Sequence, residues 1–181
     1  MNTYVLLLRG INVGGKNKIS MAELKVFLEE EGFQNVTTYI NSGNVIVESD
    51  LEAKTISQRV EKNLPKKFKL DSSIIKILVL TQKQLQKVVD HKPKGFGDQP
   101  TKYHSDAIFL MDIDADKALS IFSPREGVDK IWPGDGVIYS QRLSAKRTQS
   151  RLNKIVGTPL YKSMTIRNWN TTTKLLNILT R

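Results

Sequence analysis

Residues 3–8, TYVLLL, are apolar at nearly every position, so an extended segment here buries both faces and predicts a central β-strand. Gly10, Gly14 and Gly15 end it in a loop. Ser20 and Glu23 have the spacing of a reciprocal capping pair, which starts a helix at Met21. Met21, Leu24, Phe27 and Leu28 share one helical face, and Gly32 supplies the stop. Residues 36–40 and 45–49 are β-rich runs around Asn41-Ser42-Gly43-Asn44, a loop short enough to require an antiparallel hairpin. Ile56, Val60 and Leu64, four apart, predict a second helix running to Pro65. Residues 74–80 then predict another buried strand. The order β-α-β-β-α-β is the split βαβ, or ferredoxin-like, arrangement.

The second half begins the same way. Thr81 and Gln84 form another capping pair, and Leu85, Val88 and Val89 give the following helix an apolar face. Residues 91–104 hold two prolines and two glycines without periodicity and predict a loop. Residues 107–111 read as a strand, 115–122 as a short helix behind Asp114, and 130–132 and 137–141 as a hairpin across Pro133-Gly134-Asp135-Gly136. Residues 145–156 predict an α-helix with Arg147, Arg151 and Lys154 on one side and Leu152, Ile155 and Val156 on the other. Gly157 and Pro159 end it. Asn170 is placed to cap a last helix that buries Leu175, Ile178 and Leu179. The fold class is therefore α+β, with two ferredoxin-like subdomains, residues 1–80 and 81–181, and largely antiparallel sheets. The duplication is inferred from element order, because no self-similar residue pattern is visible.

Charge changes this picture. Residues 136–181 carry nine basic side chains and no Asp or Glu, whereas residues 1–135 hold 19 basic against 18 acidic groups, so one end supplies nearly all of the net charge of +10. Segregated positive charge concentrates anions near one part of a surface and says nothing about fold. Cysteine is absent, which excludes disulfides, thiolate metal sites and cysteine nucleophiles and agrees with a reducing cytoplasm. The first apolar run is too short for a secretory signal, and no 18 apolar residues run together, so the expectation is a cytoplasmic protein without membrane association.

The residues then offer several chemistries. Residues 10–16 match G-x-x-x-x-G-K, and residues 108–112 have the apolar-run-then-aspartate form of a magnesium-binding strand. Position 17 is Asn, however, without the hydroxyl such a loop gives to its metal, and an antiparallel hairpin follows where a nucleotide hydrolase needs parallel strands. The outline of an anion site survives: Arg9, Asn12, Gly14, Gly15, Lys16 and Lys18 surround a loop ahead of a helix. A tight turn with solvated lysines explains the same residues. Asn41, Ser42 and Asn44 are ordinary hairpin residues as well as donors. Arg167, Asn168, Trp169, Asn170 and Thr171 offer a guanidinium, two amides, an indole N–H and a hydroxyl, suited to phosphate or carboxylate, though a cap, a core tryptophan and an arginine on loop carbonyls describe them equally. His91 and His104 lack metal-ligand spacing, no Ser, His and carboxylate form a recognisable triad, and nothing implies a cofactor.

Three stretches, RGINVGGKNKISMAELKVFLEEEGF, TTYINSGNV and TIRNWNTTTKLLNIL, closely resemble the bacterial family catalogued as domain of unknown function 1697. The family usually has an aromatic where Val47 stands and a valine where Thr172 stands. The resemblance implies two ferredoxin-like halves and no particular activity. Its motif residues fall on Arg9, Gly10, Asn12, Gly14, Gly15, Asn41, Ser42, Gly43, Asn44, Arg167, Asn168, Trp169, Asn170 and Thr171, with no roles attached.

The expected function is anion binding, foremost contact with nucleic-acid phosphates through Arg142, Lys146, Arg147, Arg151, Lys154 and Lys174, backbone-driven and salt-sensitive. The third strand lacks the aromatics of an RNA-recognition sheet. Two alternatives are an enzyme or sensor for a small phosphorylated ligand held between the subdomains, and a module for an acidic protein partner.

Overall fold

The computed structural model describes residues 1–71 and 75–181. Two compact units divide them, Met1–Leu85 with Leu175–Arg181, and Gln86–Lys174. Each carries a four-stranded, wholly antiparallel sheet.

In the first unit β1 (Asn2–Arg9), β2 (Gln34–Tyr39), β3 (Asn44–Ser49) and β4 (Lys76–Thr81) lie in the order β2-β3-β1-β4. Ile74, expected to open β4, is outside the described residues. Tyr4, Leu6 and Leu8 of β1 join Val45 and Val47 of β3 against helices α1 (Met21–Glu30) and α2 (Ala53–Lys67), which contribute Leu24, Phe27, Leu28, Ile56, Val60 and Leu64. The predicted capping box is formed: the Glu23 N–H donates to Ser20 Oγ at 3.1 Å, and Ser20 Oγ–H donates to the Glu23 carboxylate at 2.7 Å. Pro65 does not end α2. It lies in the last turn, where the lost N–H costs one hydrogen bond and the buried Leu64 holds the segment helical. In the hairpin loop Ile40 has φ of 49° and is half exposed, a left-handed conformation that a β-branched residue adopts only at a cost. Ile40→Gly is expected to raise stability by about 1 kcal/mol in denaturant unfolding, since glycine removes that strain and Ile40 is not part of the buried core cluster.

The second unit places β5 (Tyr103–Leu110), β6 (Asp129–Pro133), β7 (Val137–Leu143) and β8 (Met164–Asn168) in the order β6-β7-β5-β8. Helix α3 (Gln82–Asp90) starts at the expected Thr81–Gln84 pair. Helix α4 (Ala115–Leu119) starts at Asp114, whose carboxylate accepts the Lys117 N–H at 2.7 Å. One face of the sheet buries Ile108, Leu110, Ile138 and Met164 with Ala118 and Ile155. Tyr139 sits in a ring cluster whose centre is Phe96, 5.0 Å from Trp169, 5.3 Å from Tyr139 and 5.9 Å from Trp132. The Tyr139 hydroxyl donates to the Val88 carbonyl at 2.6 Å, and burial pushes its pKa up to about 12.

Three expectations are corrected in this unit. Residues 145–156 form no α-helix; three 3₁₀ segments, Ser144–Gln149, Leu152–Gly157 and Pro159–Ser163, span the region. Asp129 explains the break. Its Oδ2 accepts the Arg151 N–H at 2.8 Å, and Ser150 N–H bonds the Arg147 carbonyl three residues back. The Arg151 N–H that an α-helix would send to Arg147 is thereby taken by a distant carboxylate. At three residues per turn Leu152 and Ile155 stay buried together, while Val156 leaves the face and is 56% exposed. Second, a strand, β8, precedes the last helix, where the sequence suggested only a donor-rich run. Third, α5 (Trp169–Leu179) is capped by Asn168, not Asn170: Asn168 Oδ1 accepts the Asn170 N–H at 2.9 Å. In the part of α5 that belongs to the first unit, a further expectation changes: Leu176 rather than Ile178 is buried with Leu175 and Leu179.

Candidate functional site

The Gly10 loop and the Asn41 turn come together through Asn12. Its Nδ2 donates to the carbonyls of Ile19 and Asn41, each at 2.9 Å, and its Oδ1 accepts the Ile19 N–H at 2.8 Å. Asn12 and Asn17 adopt left-handed φ of 54° and 48°, which asparagine tolerates. Buried Asn17 donates from its side chain to the Gly10 carbonyl and from its backbone N–H to the Asp71 carboxylate, both at 2.8 Å. The Lys16 N–H closes onto Val13 and the Asn12 N–H onto Asn17. The backbone donors at Asn12, Lys16 and Asn17 are thus spent within the protein, one on its own carboxylate, and Gly14, Gly15 and the Lys16 side chain remain on the outside of the loop. Asn44 is fully buried and donates to the Tyr39 carbonyl at 3.1 Å and Ser42 Oγ at 2.8 Å. Asn44→Ala is expected to destabilise the chain by about 2 kcal/mol in thermal unfolding, because the Tyr39 carbonyl loses a partner in a dry site.

Arg167 is 7% exposed on β8. Its guanidinium donates to Thr165 Oγ1 and to the Ile166 carbonyl, each at 2.9 Å, and burial holds its pKa down to about 10, leaving it charged at neutral pH. Asn168 and Asn170 take another direction. With Gly97, Tyr103, His104 and Trp169 they border a cavity of about 230 Å³. His104, expected in a loop, stands on β5, where Nε2 lies 3.0 Å from Asp106 Oδ2. The signal was available: histidine and aspartate two apart on a strand share a face. Thr171 follows on the first turn of α5.

The basic residues differ in their surroundings. Lys146, Arg147 and Lys154 are exposed on the first two 3₁₀ segments and Arg151 between them; Lys162, outside the set expected to meet nucleic acid, is exposed on the third. Among the described residues none of the five enters an ion pair. Lys67, Lys87 and Lys92, by contrast, are paired with Glu30, Asp135 and Asp98 at 2.6 to 2.7 Å. Arg142 and Lys174 are only half exposed. Arg142 lies opposite Asp129 in the β6–β7 register. Asp129 is 6% exposed; burial pushes its carboxyl up, but N–H groups of Arg151 and Arg125, the Ser150 hydroxyl and the Arg142 charge outweigh that and hold the pKa below the usual 3.8. Among the described residues, Asp129 Oδ1 and Arg142 Nε are buried without a hydrogen-bond partner. No group of three or more His, Asp or Glu among the described residues is arranged to hold a metal, and no helix of the described chain is long and apolar enough to cross a membrane.

The chain belongs to the family described as protein of unknown function (DUF1697), whose model matches residues 1–139. Among solved structures it is similar to the conserved bacterial protein SP0830 from Streptococcus pneumoniae, with 25% identity, a TM-score of 0.78 and 98% of each chain covered. No curated protein matches.

Proposed function

We propose that this protein binds nucleic-acid phosphates through the 3₁₀ segments of its second unit, with low sequence selectivity. One observation carries the reading: Lys146, Arg147, Arg151, Lys154 and Lys162 are exposed within one 3₁₀-rich stretch, with no acidic residue between them and no ion pair among the described residues. Unpaired surface cations at this density release counterions when they meet a phosphate chain, and that release supplies sequence-independent affinity. Their spacing is held from below by the buried Leu152 and Ile155 and by Asp129 on the Arg151 N–H. We also read the two units as copies of one split β-α-β plan. The matching strand orders support this, with 3₁₀ segments standing in the second unit where α2 stands in the first.

Fluorescence anisotropy with short labelled RNA and DNA at low salt tests the function. Binding that weakens steeply as salt is added is expected for single strands and duplexes of any sequence. Absence of binding at low salt overturns the reading.

A further inference from the structure

The cavity beside Asn168 adjoins the basic run. The Ser144 N–H, at the start of the first 3₁₀ segment, donates to the Lys102 carbonyl at 3.0 Å, and Arg142 lies opposite His104 in the β5–β7 register. Lys102 Nζ stands 5.1 Å from the centre of the Tyr103 ring. The start of the cationic segment is therefore hydrogen-bonded to the residue before Tyr103 of the cavity wall, all in the second unit.

We infer that this cavity receives one unpaired base of a single-stranded nucleic acid, an inference that rests on the phosphate-binding reading and adds a second contact to it. The wall chemistry favours a neutral, planar, hydrogen-bonding guest over a bare anion. Arg167, the nearest arginine in sequence, spends donors on Thr165 and Ile166. Asp106 Oδ2, 3.0 Å from His104 Nε2, places an acidic group next to that wall residue. Asn168 commits its side-chain oxygen to the Asn170 N–H and leaves its amide donors uncommitted among the described residues. Asparagine amides and an imidazole match the mixed donors and acceptors of a base edge, and Tyr103 and Trp169 are the aromatic neighbours that unstacked bases seek. A base held in a duplex cannot enter, so the cavity makes the protein prefer single strands.

The test uses labelled single-stranded RNA and duplexes of the same length with wild-type protein and Asn168→Ser, which keeps a capping oxygen for α5 and removes the amide. Thermal unfolding confirms that the variant folds. The expected result is tighter binding of single strands than of duplexes by about tenfold, most of it lost in Asn168→Ser, with duplex binding unchanged. In parallel, free nucleosides are titrated while the indole N–H resonance of Trp169 is followed by NMR, with Trp132→Phe fixing the assignment; a saturable shift is expected. Equal affinity for both forms, unaffected by Asn168→Ser, overturns the base site and leaves phosphate binding intact. If no oligonucleotide binds, phosphate binding falls and the nucleoside titration alone decides: a saturable Trp169 shift upholds the base site, and its absence overturns it.

Discussion

Gly97→Ala is expected to lower stability by about 3 kcal/mol and the melting temperature by about 10 °C. Two effects add. Gly97 has φ of 76°, where an alanine is strained, and a Cβ there would fall inside contact distance of Trp169 Cδ1 and 2.5 Å from Nε1. The indole has little room to withdraw, because Phe96 packs edge-on at 5.0 Å and Tyr139 at 6.2 Å. Trp169 also opens α5 one residue after its cap. Pushing the ring aside therefore disturbs the aromatic core, the start of the helix and the cavity wall together. Differential scanning calorimetry reads the change; a loss below about 1 kcal/mol would mean that the ring and loop relax freely.

Asp129→Ala is expected to cost about 3 kcal/mol, since it removes a buried carboxylate that accepts two backbone N–H groups and leaves Arg142 beside an empty space. The pH dependence has a definite sign. The folded pKa of Asp129 lies below its ordinary value of 3.8, so its contribution is fully present above that value and is lost as pH falls through the folded pKa. The stability gap between wild type and variant should be flat around neutrality and close only in strongly acidic solution. Urea unfolding across that range checks it, and a gap that closes near neutral pH would contradict the assignment. The same substitution frees the Arg151 N–H and should loosen the 3₁₀ run, weakening oligonucleotide binding although no surface cation is removed.

What could be read from the sequence was local. Ser20 with Glu23, Thr81 with Gln84, and Asp114 announce their helices because each cap and its N–H lie three residues apart. The hairpin at Asn41 was legible for the same reason, its loop being too short for any other connection. The misreadings share a distant cause. Residues 145–156 have an amphipathic pattern, but the carboxylate that redirects the Arg151 N–H comes from Asp129, 22 residues earlier. β8 is not legible locally because its partner is β5, far back in the chain, and the polar run from Thr165 to Asn170 has no strand periodicity of its own. The sequence offers Asn170 as the cap of the last helix, and only the frame of that strand shows that Asn168 fills the place. The candidate cavity is half visible in the sequence: its asparagines stand in a donor-rich run, but Tyr103 and His104 end a stretch that reads as a loop and belong to β5.

The most direct test is the slope of log affinity against log salt for a labelled single strand, compared between wild type and a variant with Lys146, Arg147, Arg151 and Lys154 all changed to alanine. Five phosphate contacts predict a slope of about −3.5 for wild type, and one remaining contact predicts about −0.7 for the variant. Equal slopes would show that these cations do not meet phosphate, and the account of the second unit would be wrong.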